Sequence, residues 1–79
     1  MLEEKVNELV SEFWTRKNEM EESVESVGLY VAESNDEYVT VAAEDIDEQA
    51  VLYLGHANKT MWIERIVILD ENGFEKLKI

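Results

Sequence analysis

From Val24 onward the chain is cut into short runs of β-branched and aromatic residues by connections of only four to six residues, and this spacing restricts the fold more than any other feature. A parallel strand pair needs a crossover of a dozen residues or more, so neighbouring runs can pair only as antiparallel hairpins. Five strands are predicted, at roughly Val24 to Ala32, Tyr38 to Ala43, Ala50 to Gly55, Met61 to Leu69 and Phe74 to Ile79. They are joined at Ser34 to Glu37, Glu44 to Gln49, His56 to Thr60, and Asp70 to Gly73. Asn72-Gly73 is the clearest turn signal, because a tight hairpin needs positive φ at its centre and Asn-Gly tolerates this best. The result is a meander. Along Tyr38 to Ala43 the apolar alternation is blurred, which leaves open the question of which face is buried.

The first eighteen residues follow a different period. Leu2, Val6, Leu9, Val10 and Phe13 form the stripe of an amphipathic helix with Trp14 at its margin, while Glu3, Glu4, Glu8 and Glu12 take the opposite face. Acids in the first turn and Arg16-Lys17 near the end suit the helix dipole, so a helix is predicted from Leu2 to Asn18. The predicted fold class is therefore α+β, an N-terminal amphipathic helix packed on a five-stranded antiparallel sheet. With 79 residues, 46% of them apolar, the chain suits one domain, residues 1–79. The absence of cysteine removes disulfides and thiolate metal sites, so packing has to hold the fold. No apolar run approaches the ~20 residues that span a bilayer, and the expectation is a cytoplasmic monomer.

Charge narrows the function classes. Seven Lys and Arg face 19 Asp and Glu, a net of −12, which disfavours direct binding to nucleic acid. Residues 1–48 carry 15 acids and 3 bases, whereas residues 49–79 carry 4 of each, so the whole imbalance lies in the first three-fifths. Such a field speeds encounter with a basic partner, and it equally serves solubility.

Nothing in the chain assembles a catalytic set. There is one histidine, His56, in a polar turn without an activating partner, no cysteine and no glycine-rich loop, so the protein is expected not to be an enzyme and to need no cofactor. Glu44, Asp45, Asp47 and Glu48 form the densest acid cluster, but the segment lacks the glycine and length of a calcium loop, and no metal site is expected. Trp14, Trp62, Phe13, Tyr30, Tyr53 and Phe74 are assigned to the core or its edge, since base stacking would require a basic groove. One segment is not explained by packing. Glu22-Ser23-Val24 and Glu25-Ser26-Val27 repeat at the start of the predicted first strand, where acids either guard an edge against aggregation or present carboxylates and hydroxyls in place of phosphate oxygens.

The C-terminal segment Val67-Ile68-Leu69-Asp70-Glu71-Asn72-Gly73-Phe74-Glu75-Lys76-Leu77-Lys78 resembles the terminal hairpin of the uracil-DNA glycosylase inhibitor family of Bacillus phages. In that family a Val-Ile strand reaches an Asp-x-Asn-Gly turn and then Lys-x-Lys. Carried back without gaps, the likeness covers somewhat more than half the chain and puts Val39, Val51 and Leu54 on apolar strand positions. The resemblance implies a DNA mimic whose Glu-Ser-Ile edge strand enters the enzyme's DNA cleft while an apolar pocket receives a side chain of the enzyme. It assigns the edge role to Glu22-Ser23-Val24 or Glu25-Ser26-Val27, and the pocket to Val39, Leu52, Leu54 and Val67, which could equally be ordinary core. The family's second helix, between its first and second strands, has no counterpart, because Val27 to Ser34 has room only for strand and turn.

The leading expectation is thus an acidic inhibitor of phage or mobile-element type that occupies the basic DNA-binding cleft of a host enzyme, uracil-DNA glycosylase first. The alternatives are an acidic interaction or calcium-binding module of a microbe, and an inhibitor of another nuclease or of a CRISPR effector.

Overall fold

The structure, a computed structural model, describes residues 2–12 and 17–79, the side chain of Lys17 excepted. Two helices, α1 (Leu2–Ser11) and α2 (Lys17–Ser26), precede five strands. These are β1 (Tyr30–Ser34), β2 (Tyr38–Ala43), β3 (Ile46–Ala57), β4 (Thr60–Leu69) and β5 (Glu75–Lys78). They form one antiparallel sheet in the order β1-β2-β3-β4-β5, the meander that the short connections require.

The helical region departs from expectation. The predicted helix to Asn18 stops at Ser11, where the Ser11 hydroxyl donates to the Glu8 carbonyl at 2.9 Å. The Glu12 N–H is shared between the carbonyls of Glu8 and Leu9, each at 3.1 Å. Phe13, Trp14 and Arg16 lie outside the described residues. A second helix then takes the first three residues of the predicted first strand, Val24 to Ser26, and β1 begins only at Tyr30. Met20, Ser23, Val24 and Val27 stand at i, i+3, i+4 and i+7; the first three are buried and Val27 partly so. The α2 end is a Schellman closure. Gly28 donates to the Glu25 carbonyl at 3.1 Å, Leu29 donates to the Val24 carbonyl at 2.9 Å, and Gly28 has φ +80°. Lys5 reaches this end, with its amine 3.4 Å from the place a Gly28 Cβ would occupy, where a cation complements the helix dipole.

Both helices cover the same face of the sheet, α1 over β3 and α2 over β1. Leu2, Val6 and Leu9 of α1 and Met20 and Val24 of α2 meet Val39, Val41, Ala43, Ala50, Leu52, Leu54, Ile66 and Ile68 in one core. Ten-residue helices are marginal alone in water. Burial of each Leu or Val, at about 1.5–3 kcal/mol, is what keeps them in place.

The hairpins use different turn chemistry. At β1–β2, Asn35 Oδ1 accepts from the N–H groups of Glu37 and Tyr38 at 2.8 and 2.9 Å, an Asx turn. The β3–β4 turn has two residues, Asn58 (φ 50°) and Lys59 (φ 66°), both left-handed as a type I′ turn demands, and the two strands run further than predicted. In the β4–β5 turn only Gly73 takes positive φ, at +84°. Its N–H donates to the Asp70 carbonyl at 3.0 Å, and Asp70 Oδ1 accepts from Asn72 and Phe74. Asp at the first position and Gly at the fourth mark a type I turn rather than an Asn-Gly centre.

Candidate protein-interaction surfaces

The helical layer carries much of the charge. Its buried positions recur every three to four residues, so Glu3, Glu4, Glu8, Glu21, Glu22 and Glu25 are all exposed on the side away from the sheet, and Glu12 is exposed in the turn that follows α1. The doubled Glu-Ser-Val belongs to this layer and is not on an edge strand. A repeat of three residues is nearly one helical turn, so the copies stack: Glu22 over Glu25, Ser23 over Ser26, Val24 over Val27. Ser23 and Val24 are buried, Ser26 is exposed, and both serine hydroxyls are used within the layer. Ser26 donates to Glu12 Oε2 at 2.9 Å, and Ser23 reaches the Glu12 carbonyl at 3.4 Å, tying α2 to the end of α1. Of the five residues expected to meet a partner here, Glu22, Glu25 and Ser26 remain accessible and Ser23 and Val24 do not.

The expected apolar pocket is split between two faces. Val39, Leu52 and Leu54 sit in the core beneath the helices, with Val39 opposite Leu52 across β2–β3. Val67 pairs with Val51, one residue out of phase with Leu52, and therefore lies on the other face. These four side chains do not line one cavity.

That other face is open, with no helix over it among the described residues. Register places three rows across it: Tyr38–Tyr53–Arg65, Glu33–Thr40–Val51–Val67–Lys78, and Tyr30–Ala42–Gln49–Leu69–Glu75. The short side chains Thr40, Ala42, Val51 and Val67 form a floor that neighbouring larger residues bury to below a tenth exposed, which is why the alternation along β2 looked blurred. Along the upper row runs a chain of contacts. The Arg65 guanidinium stacks 4.3 Å from the Tyr53 ring, Tyr53 and Tyr38 have centroids 6.2 Å apart at 52°, and the Tyr38 hydroxyl donates to Glu33 Oε1 at 2.9 Å. The bond to Glu33, helped by its negative charge, raises the Tyr38 phenol above its usual value of 10.0. Further along β4, Trp62 lies over Gly55, where any Cβ would come within 2.5 Å of the indole nitrogen. Tyr30, Trp62 and Phe74, expected at the core, are exposed to 47%, 41% and 71%.

The acids of residues 44–48 are spread by the local backbone. Glu44 and Asp45 form the β2–β3 turn, while Asp47 and Glu48 have already entered β3. Glu44, Asp47 and Glu48 border an open groove of about 600 Å³ together with Asp70 and Glu71 of the β4–β5 turn, and Glu48 accepts from the Lys76 ammonium at 3.1 Å. Among the described residues no three His, Asp or Glu side chains converge on a point that could hold a metal ion. His56 is exposed near the end of β3. No helix among the described residues is long and apolar enough to cross a membrane.

Sequence reasoning missed the open face as a unit. Its signal was the small residues Thr40 and Ala42 set beside Tyr38 and Tyr53, but only the pairing register brings them together. Comparison with protein-family models, with curated proteins and with solved structures returned no match.

Proposed function

We propose that the protein is a small acidic inhibitor that occupies the basic DNA-binding cleft of a DNA-processing enzyme, with uracil-DNA glycosylase the first target. The observation that carries this reading is the charge partition, 15 acids against 3 bases in residues 1–48 and a balance of zero beyond. Six exposed carboxylates on two packed helices, Glu3, Glu4, Glu8, Glu21, Glu22 and Glu25, support it, since they stand together on the outer side of one layer. In this reading they accept the hydrogen bonds that arginine, lysine and backbone N–H groups of the enzyme would otherwise give to phosphates. The protein performs no chemistry of its own; it denies the enzyme its substrate.

The test is uracil excision by a bacterial uracil-DNA glycosylase with and without an equimolar amount of the protein. Stoichiometric inhibition is expected, with association slowed by salt. Glu22→Gln with Glu25→Gln, a stacked pair on the outer side of α2, should cost roughly 1.5–3 kcal/mol per charge-assisted hydrogen bond lost. Undiminished excision at equimolar protein would overturn the assignment to this enzyme.

A further inference from the structure

We propose that the open face of the sheet is a docking surface for a second copy of this chain, related by a two-fold axis running along β3. The inference does not rest on the inhibitor reading, because the acidic helices lie on the opposite side of the sheet. It does replace the monomer expected from sequence.

The argument is self-complementarity. A two-fold axis along the central strand keeps each row at its own height and reverses strand order, so β1 of one copy meets β5 of the other, β2 meets β4, and β3 meets itself. The middle row, Glu33–Thr40–Val51–Val67–Lys78, is antisymmetric in charge about Val51. Glu33 of each copy thus falls opposite Lys78 of the other, with apolar and hydroxyl side chains between. In the upper row Tyr38 faces Arg65, a cation above an aromatic ring, and Tyr53 faces its own equivalent. In the lower row Leu69 falls opposite Ala42, large against small, and Tyr30 opposite the Glu75 carboxylate. Every charged residue in these rows meets an opposite charge or a group it can bind.

Size sets the strength. Five strands at about 4.8 Å and three same-side rows at about 6.8 Å cover on the order of 500 Å² of flat area. This is below the ~800 Å² per partner of a stable interface, so dissociation in the micromolar range is expected. The helices and their carboxylates end up on the two outer sides, as far apart as the assembly allows.

The experiment is sedimentation across a concentration series from roughly micromolar to roughly millimolar, on the full chain at moderate salt, with charge-swap variants. The native chain is expected to pass from monomer to dimer. Lys78→Glu and Glu33→Lys should each weaken association by about tenfold, since each variant makes two like-charge contacts per dimer. The double variant, whose net charge is again −12, should restore it. The two single variants discriminate sharply: they change net charge in opposite directions, so simple repulsion predicts that Glu33→Lys strengthens association. A monomer at all concentrations, or a dimer in which the two single variants act in opposite directions or the double fails to recover, would overturn the proposal. Both residues are exposed, and circular dichroism of each variant separates loss of association from loss of fold.

Discussion

Gly28→Ala distinguishes a helix end from a strand at the point where sequence and structure part. In the structure Gly28 holds φ +80° as the residue that closes α2. An L-residue in that region is strained by about 1–2 kcal/mol. Replacing glycine recovers about 0.4–1 kcal/mol by narrowing the unfolded ensemble. The balance is a net loss of about 1 kcal/mol, and the Lys5 amine, 3.4 Å from the new methyl and at the end of a flexible side chain, leaves room for it. Gly73→Ala is the internal control. It has nearly the same φ, +84°, and nothing within 4 Å of the added Cβ, so it reports the backbone cost alone. Urea unfolding followed by circular dichroism is the assay. At about 1 kcal/mol per molar of urea for a chain this small, the Gly28 and Gly73 midpoints should each fall by about 1 M. If residue 28 instead lay inside a strand, alanine would stabilise by roughly 0.5–1 kcal/mol, because glycine is a poor strand residue. The two readings thus differ in sign, and an unchanged or higher midpoint for Gly28→Ala would refute the helix end.

Three further outcomes are expected. Lys59→Gly should raise stability by about 0.5–1 kcal/mol in the same urea assay, because lysine is held at φ 66° in a turn built for glycine; a loss would mean that Lys59 makes a contact outweighing the strain. Tyr38 should ionise above the ordinary phenol range in an alkaline absorbance titration read against Tyr38→Phe, and Glu33→Ala should bring it back down. Because the folded phenol holds its proton more tightly than the unfolded one, the associated stability is present below pH 10.0 and lost as pH rises through the raised value. Salt should raise the melting temperature from low ionic strength to about 0.5 M by screening the helical carboxylates, and a flat or falling response would place the charge repulsion elsewhere.

How much of this was legible depends on whether the signal was local. The meander followed from connection lengths alone, and β2 was predicted to the residue because its ends are marked by an Asx turn and by Glu44-Asp45. The second helix was also written locally, in Met20, Ser23, Val24 and Val27 followed by Gly28. It was obscured because valine favours strands and Glu-Ser-Val read as an edge, whereas a three-residue repeat is a helical period and a strand repeats every two. Packing against the sheet then decided the matter over propensity. The split of Val67 from Val39, Leu52 and Leu54 was not local. Parity within one strand is visible in a sequence, but which residue of β4 stands opposite Leu52 depends on the register of β3–β4, including the irregularity between Tyr53 and Leu54. The open face is assembled from four such registers, and no single segment announces it.

The placement of charge follows from the same architecture. Residues 49–79, balanced in charge, supply most of β3 and all of β4 and β5, so the longest hairpin forms without net repulsion. The helices α1 and α2 carry seven acids, present only a narrow apolar stripe each to the sheet and leave their outer sides to water, while residues 27–48, from β1 to the start of β3, carry seven more acids and no base. Self-repulsion therefore acts both on helix docking and on the first three strands with their turns, and most of these carboxylates are exposed, where solvent and salt screen them. The few countermeasures lie at the same joint: Lys5 beside the end of α2, and the Ser23 and Ser26 hydroxyls turned toward Glu12. The negative field is thus shared between the helical layer and the turns of the first three strands, and the second face of the sheet is left uncharged at its centre, where Thr40, Val51 and Val67 stand side by side.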